Sequence, residues 1–267
     1  MTLVMGILNV TPDSFSDGGE YLDPKKAIAR GLEMIEEGAT IIDVGGESTK
    51  PGADRVSLDE ELTRVIPVIH TLAKTGAMVS VDTMRAEVAA MAVASGARII
   101  NDVSGGLSDP AMFATVKKLG VPYILMHWRA HSKTMQDHAT YKDVVREVKE
   151  ELEARIEAAI EAGINPEQII IDPGLGFSKL PEHNWELLRN IDRIALLGYP
   201  ILIGASRKRF LGELTGSTNP DDREAASIAV TAMVAKQNVW GVRTHSVKPH
   251  RDAIATVNSF LKSKVEA

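Results

Sequence analysis

The chain of 267 residues contains no cysteine. Disulfides, thiolate zinc sites and thiol nucleophiles are excluded together, and the composition suits a reducing compartment. Positive charge is also short: 30 Lys and Arg stand against 36 Asp and Glu, a net charge of −6. A nucleic-acid surface, which needs a basic stripe, is therefore not expected, although a few cations can still converge in one cleft. No basic segment precedes the first apolar run, so no secretory signal is expected. The most apolar helical stretch, 225–235, is too short to cross a bilayer and carries Ser227 and Thr231. These absences predict a soluble cytoplasmic protein with no membrane or nucleic-acid partner. No G-x-G-x-x-G follows an apolar run, and Ser206 lacks the second glycine of a nucleophile elbow. The histidines suggest no zinc site: His70, His183 and His250 fall in helical patterns, and His131 and His138 in a polar loop.

What the chain has instead is alternation. Short apolar, β-branched runs predict strands starting near Val4 and at 40–44, 78–82, 98–103, 122–127, 168–172, 200–204 and 239–243. Helical patterns separate them. One runs from Pro24 to a Gly38 stop with Ala27, Leu32 and Ile35 on its apolar side. Another starts near Ser57, where Ser57 and Glu60 fit a capping box. Others follow at 86–95, from Asp109-Pro110, at 145–162, at 221–236 and at 249–262. In the helix at 145–162, Lys149/Glu153 and Glu151/Arg155 at i,i+4 read as a solvated face. The helix at 225–235 is apolar on nearly every side, which suggests a homodimer interface. Eight β/α units without a break in composition predict one α/β domain over 1–267, a TIM (β/α)8 barrel, in preference to an open doubly wound sheet.

In such a barrel the chemistry sits at the C-terminal ends of the strands. Here those ends carry Asn9, Asp43 with Glu47, Asp82, Asn101 with Asp102, His127, Asp172, Ser206 with Lys208, and Arg243 with His245. Taken singly, each reads as readily as a turn residue or helix cap; their common rim points to one site. Asp172 opens Asp-Pro-Gly-Leu-Gly-Phe, whose glycines let backbone approach a ligand. A buried carboxylate there needs a partner with two donors, such as an Arg or a guanidine-like heterocycle edge. Asn101 offers donor and acceptor together. Lys208 lies where barrels often bind anions, and Arg243 and His245, two apart on a strand, suit a diphosphate.

These motifs resemble, over essentially the whole chain and in order, those of the dihydropteroate synthase family of pterin-binding barrels. They are 5–19, Gly45-Gly46-Glu47-Ser48-Thr49, Ser80-Val81-Asp82-Thr83, Asn101-Asp102-Val103, Asp172-Pro173-Gly174, Ser206-Arg207-Lys208 and Arg243-Thr244-His245. The resemblance implies that p-aminobenzoate displaces pyrophosphate from 6-hydroxymethyl-7,8-dihydropterin diphosphate, giving dihydropteroate. It implies that Asp172 takes the 2-amino and N3 edge of the pterin, and that Asn101, Asp82 and Lys208 take its other heteroatoms. Asn9 would hold Mg²⁺ on the diphosphate, and Arg243 and His245 the diphosphate itself. Thr49, Pro51 and Phe177 would lie toward p-aminobenzoate, with the loop carrying Phe15 closing over it, and sulfonamides would compete there. The chain departs from the family pattern at Lys50, where Arg is common, and at Ser246, where Asp is frequent. A pterin-binding paralogue without catalysis and a methyltetrahydrofolate-dependent methyltransferase are the competing readings. The latter has no use for a diphosphate site.

Overall fold

Successive side chains of a strand point to opposite faces, and that alternation sorts this chain into an inner and an outer shell. The computed structural model describes residues 2–11, 24–50 and 52–262. Among them are eight strands: β1 (Leu3–Asn9), β2 (Ile41–Gly45), β3 (Val79–Asp82), β4 (Ile99–Asp102), β5 (Tyr123–Met126), β6 (Ile169–Asp172), β7 (Leu202–Ile203) and β8 (Gly241–Thr244). They pair in parallel in the order β6-β5-β4-β3-β2-β1-β8-β7, and a bridge between Ile171 and Ile201 brings the two ends together. This is the (β/α)8 barrel expected from the alternation; an open doubly wound sheet would leave those ends apart.

The inward positions divide into two levels. At the N-terminal end Met5, Ile41, Ile99, Ile124, Ile170 and Leu202 form a dry plug. Two or four residues further along, β1, β2, β4 and β6 present Asn9, Asp43, Asn101 and Asp172, while β3 and β8 add Asp82 and Arg243 at the same level and β5 adds the apolar Met126. The period of two thus converts one strand pattern into a floor of hydrocarbon and a ring of polar groups above it. The outward positions, among them Val4, Leu8, Ile42, Val44, Val81, Ile100, Leu125 and Ile171, join the helices in the main core.

The helices are α1 (Pro24–Glu36), α2 (Leu58–Lys74), α3 (Ala86–Ala94), α4 (Met112–Leu119), α5 (Val144–Glu161), α6 (Pro181–Arg189), α7 (Ile191–Ala195), α8 (Arg209–Thr215), α9 (Glu224–Lys236) and α10 (Val247–Lys262). Several local expectations need correction. The buried face of α1 is Ala27, Gly31 and Met34, and Leu32 is exposed, because Gly31 is where Leu72 of α2 packs closest. Ser57 accepts from Glu60 N at 3.2 Å, but the Glu60 carboxylate turns to Arg64, so only half of the capping box forms. Asp109 does not open α4, which starts at Met112; its carboxylate accepts from Ala111 N and from Ala86 N at the start of α3. On α5 the i,i+4 pair is Arg146–Glu150. Glu151 and Arg155 do not pair with each other: Glu151 turns to Arg129 and His127, and Arg155 donates to Gly105 O and lies over the Phe113 ring.

Candidate active site

At the C-terminal rim, one arginine organises the charged groups. Arg243, near the end of β8, donates from Nε to Asp43 Oδ2 and from Nη2 to Asp82 Oδ2, each at 2.6 Å. Asp43 Oδ2 also accepts from Asn101 Nδ2 at 2.9 Å. Strands β2, β3, β4 and β8 are thereby cross-linked above the plug. Asp43 is fully buried and its Oδ1 has no hydrogen-bond partner among the described residues. A buried polar atom left unpaired costs about 1–3 kcal/mol, a cost that functional sites commonly retain.

A second group faces the same space from β6 and β7. A methyl group placed on Gly204 would lie 3.7 Å from Asp172 Oδ2, 3.9 Å from Lys208 Nζ and 3.9 Å from Arg243 Cβ. A methyl group on Gly45 would lie 3.6 Å from Asp82 Oδ2 and 3.7 Å from Asn9 Oδ1. Asn9 and Asp82 thus meet in front of Gly45, and Asp172 and Lys208 in front of Gly204; Arg243, paired with Asp82 and acting on the Asp172 and Lys208 charges, links the two groups. The Asp172 carboxylate is shaped by its own loop: Oδ1 accepts from Gly174 N at 2.7 Å. Gly174 has a φ of 68°, and a Cβ there would meet His127 O at 2.4 Å, so no other residue fits without backbone movement. Lys208 donates to Leu175 O and lies 4.6 Å over the Phe177 ring. Phe177 in turn joins Met84, Val103, Met126 and Trp128 in a small apolar cluster beside the polar ring.

Burial sets the charges. It raises Asp82 to about 7, against the pull of Arg243 and with the help of Asp43, Glu61 and Asp102. It lowers Lys208 to about 8, opposed by Asp172. Burial also raises Asp172, opposed first by Lys208. His245 falls to about 3 through burial and the nearby Arg243, Arg207 and Lys50 charges, so its ring is neutral. Its Nδ1 lies 3.0 Å from Ser206 Oγ.

Two of the expected rim residues do not face the site. Asp102 alternates with Asn101 and so points outward, where it accepts from Ser104 N, Ser104 Oγ, Gly106 N and Tyr123 Oη as a loop cap. His127 also lies outside the barrel wall, between Glu151 and Lys179. The pleat ends at Thr244, so His245 reaches the rim through its Ser206 contact rather than through alternation with Arg243. Phe15 and Pro51 lie outside the described residues. Thr49 lies in the loop after β2. That loop is anchored by Glu47, which pairs with Arg55 and Arg85, while Arg85 also binds Glu61 and Val56 O. Ser246 Oγ accepts from Arg207 Nη2 at 3.1 Å, and Arg207 keeps carboxylate partners in Glu224 and Asp221. The hydroxyl thus stands in an arginine network already supplied with negative charge. From sequence Asp43 reads only as a strand end, and Lys179 and Arg85 carry no sequence signal of their own.

Among the described residues no helix is long and apolar enough to cross a membrane. A Mycobacterium leprae dihydropteroate synthase is 50% identical over 97% of this chain and 93% of its own length. The solved Xanthomonas albilineans dihydropteroate synthase with 4-aminobenzoic acid superposes with a TM-score of 0.92 at 45% identity, covering 98% of this chain and 93% of that one. The Yersinia pestis dihydropteroate synthase solved with a sulfonamide drug complex gives a TM-score of 0.93 at 38% identity, over 98% of this chain and 95% of that one. The sequence model of the family described as pterin binding enzyme matches residues 5–245, and with the polar ring in place above a (β/α)8 floor, the chain belongs to that family.

Proposed function

We propose that the protein catalyses the dihydropteroate synthase reaction: p-aminobenzoate displaces pyrophosphate from 6-hydroxymethyl-7,8-dihydropterin diphosphate and yields 7,8-dihydropteroate. The observation that carries this reading is the approach of Asp172 Oδ2 and Lys208 Nζ to one gap at Gly204, with the Arg243 guanidinium, held by Asp43 and Asp82, near enough to act on both charges. A carboxylate and two cations there match a ring edge rich in N–H groups at one end and an anion at the other.

In this reading Asp172 accepts from the 2-amino and N3 protons, while Asn101, Asp82 and Lys208 meet the remaining heteroatoms. Departure of pyrophosphate leaves positive charge on the exocyclic carbon, delocalised into the reduced ring. An ionised Asp82 stabilises that charge, and Arg243 and His245 hold the departing diphosphate. Thr49 and Phe177 border the amine. An aniline nitrogen is already neutral near pH 7, so attack needs no strong base.

Asn9 would hold Mg²⁺. Among the described residues no three His, Cys, Asp or Glu gather to cage a cation. A single amide oxygen at the gap kept by Gly45 suits an ion that retains water and takes further oxygens from a substrate diphosphate. Bound there, it would neutralise charge on the leaving group.

A homodimer through α9 and a cytoplasmic location complete the proposal. Ala225, Ala229 and Met233, at i, i+4 and i+8 of α9, are exposed on its outer side, which supports self-association; sedimentation as a monomer would oppose it. The reaction is tested by incubation with both substrates with and without Mg²⁺. Stoichiometric pyrophosphate and dihydropteroate, lost on chelation and competed by a sulfonamide against p-aminobenzoate, are expected. Tight pterin binding without pyrophosphate release would indicate a binding protein instead.

A further inference from the structure

Asp43 has no ligand assigned to it above, yet it touches two residues that do. Its Oδ2 accepts from Asn101 Nδ2 at 2.9 Å and from Arg243 Nε at 2.6 Å. A carboxylate held in an ion pair accepts and does not donate. The Asn101 amide can therefore face Asp43 only through its nitrogen. Asn101 is itself 3% exposed, so its side chain has little room to swing elsewhere. Amide orientation is normally an assignment made from the surrounding network; here the network leaves one choice.

We propose that Asp43 is a specificity-determining residue: by fixing the polarity of the Asn101 amide, it selects the oxidation state of the pterin ring. The proposal rests on the pterin reading of this site. One edge of a pterin presents N1 beside N8. N1 accepts in both ring states. N8 carries a proton in a 7,8-dihydropterin and donates, whereas in the oxidised ring it has a lone pair and accepts. With one Nδ2 proton held by Asp43, Asn101 has one proton left for N1, and its Oδ1 receives N8–H. Against an oxidised ring the same Oδ1 meets a lone pair. Without Asp43, both Nδ2 protons are free to meet two acceptors, and the oxidised ring is no longer penalised.

The test measures dissociation constants of 6-hydroxymethyl-7,8-dihydropterin and 6-hydroxymethylpterin anaerobically, for wild type, Asp43→Ala and Asp43→Asn. The ratio of the two constants is the readout, because any loss through Arg243 affects both ligands. Wild type should favour the reduced ring by on the order of tenfold or more, and Asp43→Ala should bring the ratio to within about threefold of unity. Asp43→Asn, whose Oδ1 can still accept from both partners, should retain most of the preference. An undiminished ratio in Asp43→Ala, in a wild type that binds the reduced ring, overturns this proposal alone. Wild type that binds neither ring overturns the functional reading with it. Should Asp43→Ala fail to fold, the ¹⁵N-labelled Asn101 side chain of the wild type decides. One amide proton moved strongly downfield supports the proposal, and two solvent-like protons overturn it.

Discussion

Lys179 Nζ stands 2.9 Å from His127 Nδ1 on the outer side of the barrel wall. The protonation states follow in sequence. Paired with His127 and Arg129, which outweigh its partial burial, Glu151 is held down at about 2 and is an acceptor only. His127, 2.9 Å from it at Nε2, must donate from that nitrogen. Burial and the Lys179 charge lower His127 to about 4, so the ring is neutral and Nδ1 accepts. Lys179 also donates to Gly174 O and Phe177 O, both at 3.0 Å. Three acceptors thus take three ammonium protons, although burial and Lys208 hold this lysine well below its usual range. The carbonyls belong to the loop that carries Asp172 and Phe177. Lys179→Met should strand those acceptors at about 1–3 kcal/mol each. The expected result is a lower Tm together with a KM raised for both pterin and amine; unchanged values of both KM would refute the coupling.

Asp82 and Lys208 predict a narrow pH optimum. Asp82, raised to about 7, must ionise to stabilise the cation, and Lys208, lowered to about 8, must stay charged to hold the ring. The kcat/KM for the pterin substrate should therefore rise through pH 7 and decline above pH 8. Stability moves the other way for Asp82. Its folded value exceeds the ordinary 3.8, so the folded state binds the extra proton. The contribution of this group to stability falls as pH rises from 3.8 through about 7. A rate profile flat across pH 7 would remove Asp82 from the chemistry.

Asp172→Ala should be the most damaging change for pterin binding. Two charge-assisted hydrogen bonds at roughly 1.5–3 kcal/mol each correspond to a loss of about 10²- to 10⁴-fold. Calorimetry with a pterin checks it, and near wild-type affinity would place the ring elsewhere.

Arg85 ties Glu47 of the loop after β2 to Glu61 of α2 and to Val56 O. Arg85→Met should release that loop and leave Glu61, which is 1% exposed, without its cation. The expected effect is about a tenfold rise in KM for p-aminobenzoate, with pterin affinity within about threefold of wild type. Loss of both affinities in equal measure would show that the loop serves the whole rim.

The barrel was legible in the sequence because eight apolar runs each ended on a polar residue, and period-two alternation turned those endings into a ring. The same period explains the misplacements. Asn101 and Asp102 are neighbours, so only one can face inward, and the sequence did not say which. His127 follows Met126 and shares that outcome. Asp43 was visible as a strand end, but its contact with Asn101 joins residues 58 apart in sequence. Lys179 lies beyond the Gly-rich turn, where no helical or strand period applies. Its burial depends on His127 and Glu151 arriving from another unit. Side chains that act through their partners leave no pattern of their own.

The bridge at Ile171 and Ile201 meets a strand of only two residues, Leu202–Ile203. Asp172 lies on one bank of that join, and Gly204, Ser206 and Lys208 lie on the other. A ring gripped by Asp172 and Lys208 together would act as a rivet across the barrel's thinnest seam. Amide protons flanking the seam should exchange fastest in the empty protein and slow most when a pterin is bound, so that substrate finishes the closure that the backbone leaves lightly stitched.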